Sequence, residues 1–250
     1  MKHLITFRVY ESQTTSGLTP EQEDFLNRHT EGTWSVNPTT GLVDIQGSFD
    51  FVRKGVKSFF GVEFGNVTGY FDFHHNKLQF LEGAPQKVDG SFECSRNELQ
   101  SLEGAPREVG GDFDCSYNQL QSLVGAPQEV DGKFNCSVNQ LQSLEGAPKE
   151  INGGFRCDKF QLDPGEWNMD GWLEVLKNGS EEAKKLIITL PIFNPTYWNS
   201  KISQNPESTI LELSEFWDDM TDDVRNSIRI PSDLRDDFDN LLELVRSGIM

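Results

Sequence analysis

Nothing in these 250 residues approaches the ~20 consecutive apolar positions that a membrane-spanning helix requires. The opening MKHLITFRVY is interrupted by Arg8 and lacks the small-residue pattern of a cleaved leader, so the expectation is a soluble, unsecreted chain. Cationic residues are scarce as well: Lys and Arg number 22 against 40 Asp and Glu, a formal charge of -18. Such a surface repels phosphate backbones and anionic headgroups, which argues against direct nucleic-acid or membrane partners and favours a protein with a basic surface. Cys occurs only four times and never as C-x-x-C, while no Cys follows Cys157 and no His follows His75. The C-terminal third therefore holds no Cys-His or Ser-His pair of its own, and neither phosphate-loop pattern, G-x-x-x-x-G-K-[ST] or G-x-G-x-x-G, occurs. These absences point away from an enzyme and imply no cofactor. Apolar residues make up 36% of the chain, yet 18 of them are Phe, so a buried core is expected.

What the chain does have is a repeat. Phe71, Phe92, Phe113, Phe134 and Phe155 stand 21 residues apart, and Cys94, Cys115, Cys136 and Cys157 follow the last four by two residues. The shared phrase is F-x-C-S-x-N-x-L-Q-S-L-E-G-A-P-x-E-V-x-G-x, clearest from Phe92, Phe113 and Phe134. In the copy at Phe71, Phe73 replaces Cys and His74 replaces Ser; a worn copy before it keeps Phe49, Phe51, Val56 and Phe59. Phe92 and Cys94 alternate with polar neighbours, the pattern of a short strand with one buried face. Asn97 and Leu99 turn the chain, Leu102 points inward, and Gly104-Ala105-Pro106 forces a second corner before Val109 rejoins the core. Twenty-one residues cannot hold a strand, a helix and two turns, so the return side should be extended or a tight turn. Each unit has a narrow apolar edge that only stacked neighbours can bury, giving parallel strands ~4.8 Å apart.

Spaced as V-x-x-x-F-x-C-x-x-N-x-L, the unit resembles the leucine-rich repeat, with Phe and Cys standing where that family has Leu. It is similar to the short repeats of bacterial leucine-rich-repeat proteins, and more closely to those of tailed bacteriophages. The resemblance covers roughly residues 33–162. It implies a curved solenoid that binds another macromolecule, in the cytoplasm, which would be the host's if the chain is phage-encoded. Some bacterial leucine-rich-repeat effectors carry a ubiquitin ligase domain, but that activity uses a catalytic Cys in a larger helical domain than this chain has.

The fold class expected is α+β, in three parts: an N-terminal cap at 1–48, a solenoid of about six coils at 49–162, and an all-helical domain at 163–250. In the cap, Thr19-Pro20-Glu21-Gln22 is a capping box opening a helix to about Arg28, and Trp34, Val36, Leu42, Val43 and Ile45 form a hairpin around Asn37–Gly41. Beyond Leu162, helices are expected from Asp170 to Lys177, after Ser180, after Asn194-Pro195, after Asn205-Pro206 and from Ser232 to Gly248. Their apolar stripes are Ala183, Leu186, Ile187 and Leu190; Ile210, Leu213, Trp217 and Met220; and Leu234, Phe238, Leu241, Leu242 and Val245. This domain holds 18 acidic and 8 basic residues, about half the net charge.

The candidate binding residues alternate with the Phe and Cys positions and so face outward, onto the concave side of the expected solenoid: Tyr70, Asp72, His74, Glu93, Arg96, Asp112, Asp114, Tyr117, Asn135 and Arg156. Ser95, Ser116, Ser137, His75, Lys133, Asp158 and Lys159 share that expectation. These positions vary between near-identical repeats and pass from acidic and aromatic to basic, the character of a graded protein-binding face. The rival site is the acidic helical surface carrying Asp218, Asp219, Asp222, Asp223, Asp236, Asp237 and Asp239, read as an imitation of nucleic acid that would inhibit a DNA-binding protein. His74-His75 is a lone pair without the partners a metal site needs, so no metal is expected. Asn76, Asn97, Asn118 and Asn139 are expected to bond the backbone of their own and the following coil, and the four Cys to form an inward ladder of reduced thiols.

Overall fold

The computed structural model describes residues 16–190, 193, 195–219 and 222–247. Thr19 closes the expected capping box on α1 (Pro20–His29): its hydroxyl accepts from the Gln22 N–H, and the Gln22 side chain accepts from the Thr19 N–H. The chain passes directly into β1 (Thr30–Val36), which pairs antiparallel with β2 (Val43–Asp50), so the expected hairpin is present.

From β2 onward the chain is a parallel β-solenoid. Its outward-varying ladder runs from the end of β2 through β4 (Phe71–Asp72), β6 (Phe92–Glu93), β8 (Phe113–Asp114) and β10 (Phe134–Asn135) to β12 (Phe155–Arg156), every Phe in register with the next. The six rungs from Phe49 to Phe155 enclose five steps, hence about five turns where the sequence suggested about six coils. A second parallel ladder, continuing from the start of β2, joins β3 (Phe64–Val67), β5 (Lys87–Val88), β7 (Glu108–Val109), β9 (Glu129–Val130) and β11 (Glu150–Ile151). The return side is thus a tight turn followed by a two-residue strand.

The seam follows from the repeat. Phe49, Phe71, Phe92, Phe113, Phe134 and Phe155 are fully buried. Their rings stack face to face from one coil to the next, with centroids 5.0–5.9 Å apart and interplanar angles falling from 15° to 3° along the stack. Cys94, Cys115, Cys136 and Cys157 line the same interior as free thiols, and burial raises their pKa values, well above the ordinary range for the first three. The Asn ladder is present with one difference from expectation. Asn97 Nδ2 donates to the carbonyls of Cys94 in its own coil and Phe73 in the preceding one, and its Oδ1 accepts from the Leu78 N–H of that preceding coil. The equivalent carbonyl of the following coil, that of Cys115, accepts in the same way from Asn118 and Asn139.

Glycine sets how closely the coils approach. Between the two ladders the Gly111 N–H donates to the Gly90 carbonyl at 3.0 Å, and a Cβ on Gly111 would lie 2.7 Å from the Ser91 nitrogen. Gly125, at φ +88°, would drive a Cβ into the Glu103 nitrogen. The corner before each Asn is left-handed without glycine: His75, Arg96, Tyr117 and Val138 have φ of +54° to +57°. Val138 is the costliest occupant, because a β-branched side chain crowds the following carbonyl in this region. Val138→Asn is expected to stabilise the protein by ~1 kcal/mol, read as a higher urea midpoint at unchanged slope. The main-chain bond from the Val138 N–H to Asp158 is kept in the variant.

Residues outside the repeat pack against each end of the stack. At the start, Phe25 of α1 meets Phe49, Phe51 and Phe60, and His29 Nδ1 lies 2.8 Å from the Asp50 carbonyl. At the finish, β13 (Gln161–Leu162) folds back antiparallel onto β12, and Trp167 stacks on Phe155 at 4.4 Å. In earlier coils the Leu102 and Leu123 N–H groups donate to the next coil's backbone; in the last, Leu144 donates to the Thr189 hydroxyl at 2.7 Å instead. The Asp158 carboxylate likewise accepts from the Val138 and Asn139 N–H groups.

The C-terminal region is helical: α2 (Met169–Asn178), α3 (Glu181–Ile187), α4 (Pro195–Gln204), α5 (Pro206–Phe216), α6 (Asp222–Ser227) and α7 (Arg235–Arg246). Ser180 caps α3 as expected and the Ala183, Leu186, Ile187, Leu190 stripe is buried, as are Ile210, Leu213, Phe238 and Leu242. Two expectations are corrected. Asn205 makes no side-chain cap bond to α5, and Ser232 opens a 3-10 turn, Ser232–Leu234, so that the last helix proper begins at Arg235. The expectations for Met220, Asn194 and Gly248 fall outside the described residues.

Candidate functional site

The strand ladder turns the outward residues into columns, because in-register parallel pairing stacks equivalent side chains one rung apart. Asp72 is opposite Glu93, Glu93 opposite Asp114, Asp114 opposite Asn135 and Asn135 opposite Arg156. Five of the ten sequence-derived candidates therefore form a single line that is anionic at one end and cationic at the other. Local bonds fix it. Asp72 Oδ1 accepts from the His74 N–H and lies 2.7 Å from His74 Nδ1; Asp114 Oδ1 accepts from the Ser116 N–H and its Oδ2 from Asn135 Nδ2.

A second column consists of the left-handed corners. Arg96 and Tyr117 are exposed there, with the Arg96 guanidinium 4.0 Å above the Tyr117 ring, and exposed Val138 follows on the next coil. The strained corner explains the projection: a left-handed residue breaks the in-out alternation and throws its side chain clear of the coil. Tyr70 and Asp112 sit on the other flank, immediately before the Phe of their coils. The Tyr70 hydroxyl donates to Glu31 of β1, and Asp112 accepts from the Lys133 N–H. All ten candidates reach the surface at least in part, but Ser116 and Ser137 are buried, contrary to the expectation that they face outward. Alternation holds only while the backbone stays extended, and these serines already lie in the turn.

No relative is found by comparison: neither protein-family models, curated proteins nor solved structures match the chain.

His74 and His75 meet ring edge against ring face at 5.2 Å, and no group of three or more His, Cys, Asp or Glu among the described residues is placed to hold a metal ion. No described helix is long and apolar enough to cross a membrane. On the rival acidic surface, Asp218 is bound to the Arg246 guanidinium through both carboxylate oxygens, which holds its pKa below the usual carboxylate value. Asp236, Asp237 and Asp239 are exposed on α7, while the side chains of Asp219, Asp222 and Asp223 lie outside the described residues.

One feature of the solenoid, on its other ladder, is not evident from the alternation pattern. The second ladder stacks Lys87, Glu108, Glu129 and Glu150 in register, with Lys87 Nζ 3.0 Å from Glu108 Oε2. With Asp89 and Asp131, the first three of these line a shallow cleft of about 260 Å³. The signal was the recurring Glu-Val of the repeat phrase, whose Val alone was assigned to the core.

Proposed function

We propose that the chain is a non-enzymatic recognition protein of the leucine-rich-repeat type, of the kind tailed bacteriophages encode, acting in the cytoplasm. It binds a protein partner with a basic patch across the column face, taken as the concave side of the stack. The observation that carries this reading is the contrast within each rung. The interior Phe, Cys, Asn and Leu hardly change from coil to coil, while the outward line Asp72, Glu93, Asp114, Asn135 and Arg156 changes at every step. A surface serving only solubility has no need of such a gradient. The anionic half attracts and orients a cationic patch, and Tyr117 beside Val138 offers the apolar contact that gives such encounters their lifetime. The backward-reaching Asn ladder supports the leucine-rich-repeat reading of the coil.

The test is comparative capture from bacterial lysate at two salt concentrations, using the wild-type chain, Asp114→Ala combined with Tyr117→Ala, and Asp236→Asn combined with Asp237→Asn and Asp239→Asn. A partner retained by the helical variant and lost by the column variant supports the proposal. One lost only by the helical variant replaces it with the nucleic-acid imitation, and one retained by both rejects both sites.

A further inference from the structure

The middle of the acidic column carries a second consequence, independent of any partner. Glu93 lies half-buried with a carboxylate on each side, Asp72 on the preceding rung and Asp114 on the following one. Asp112, from the start of the following coil, adds a third negative charge. The flanking carboxylates are fixed by donors of their own: Asp72 by the His74 N–H, with the His74 ring at its side, and Asp114 by the Ser116 N–H and Asn135 Nδ2. The cation of the same coil, Arg96, is laid over the Tyr117 ring. Register thus forces three carboxylates into adjacent rungs, and the central one sits where a negative charge is least favourable.

We propose that Glu93 holds its proton up to near neutral pH and that losing it weakens the central coils, so that the contribution of Glu93 to the stability of this solenoid falls as pH rises from 5 to 8. Desolvation, followed by repulsion from Asp114, Asp72 and Asp112, pushes Glu93 from 4.5 up to about 7, in agreement with the geometry. The sign follows from linkage. A carboxyl that holds its proton more tightly folded than unfolded favours the folded state most at pH below 4.5, and that contribution drains away between 4.5 and about 7. His29 and His75, both held below 6.5, mainly by desolvation, act in the opposite direction, so the readout must isolate Glu93.

The experiment is urea unfolding of the full chain and its E93Q variant at pH 5, 6, 7 and 8, with the Glu93 carboxyl carbon followed by NMR in the wild type and in D114N. Between pH 5 and 8 the folding equilibrium constant of the wild type should fall about tenfold relative to E93Q, the displacement being moderated by the solvent exposure of the group. The carboxyl carbon should titrate near 7 in the wild type and lower in D114N. A wild-type midpoint in the ordinary carboxylate range, or a ratio of wild type to E93Q that does not change with pH, overturns the proposal. Should E93Q fail to fold, the wild-type midpoint decides.

Discussion

Asn118→Ala should cost the protein about 3–5 kcal/mol, measured as the loss of unfolding free energy in urea. One amide serves two coils: Nδ2 donates to the carbonyls of Cys94, Cys115 and Ser116 at 3.0–3.3 Å, and Oδ1 accepts from the Leu99 N–H at 3.0 Å. Alanine removes every one of these partners and leaves no volume for a good replacement, since the site is buried. An unsatisfied buried group costs ~1–3 kcal/mol, which here is the Leu99 N–H; the carbonyls of Cys94, Cys115 and Ser116 keep donors in Asn97, Asn139 and Arg96, and losing one bond to each adds about 0.5–1.5 kcal/mol apiece. The position also lies mid-stack. A solenoid holds together through contacts between neighbouring coils, so weakening the 97–118–139 step should broaden or split the transition instead of only shifting it. Tyr117→Ala, next in sequence but exposed, is the control and should stay within about 0.5 kcal/mol. Equal loss from the two variants, or none from Asn118→Ala, would show that the amide is not the link between coils.

The second large effect is expected from Phe113→Ala. The ring is fully buried between Phe92 at 5.3 Å and Phe134 at 5.1 Å, so truncation opens a cavity bounded above and below by flat rings that cannot close over it. Buried Phe→Ala changes cost about 3–5 kcal/mol, which in a chain of this length corresponds to a fall in Tm on the order of 10 °C. Phe113→Leu refills most of the volume and should recover more than half of that loss. Were the leucine variant as unstable as the alanine one, ring stacking would contribute more to stability than the filled space does.

Much of this architecture is legible in the sequence because a tandem repeat reports its own environment. Phe92, Cys94, Asn97, Leu99 and Leu102 recur because each must fit the same neighbours, so recurrence by itself marks the interior. Alternation then places Asp72, Glu93 and Asp114 outside. It fails at Ser116 and Ser137, where a left-handed corner ends the extended backbone and parity loses its meaning. It also passes over Glu108, Glu129 and Glu150, since two residues are too short a strand to show a period. In the helical region, capping residues locate α3 well because Ser180 bonds its helix, but not α7, whose start is set by a 3-10 turn that no cap announces.

The linear chain alone therefore determined a stack of short coils, the side chains that fill it, and the sign of its surface. Those properties depend on local pattern repeated at a fixed period. Only the tertiary structure decided which charges are neighbours. Glu93 and Asp114 are 21 residues apart in sequence and one rung apart in space, and Thr189 and Asp158 take the bonds of a coil that does not exist. Register brings such groups together, and register is a property of the assembled ladder, because it is set by all the coils pairing at once.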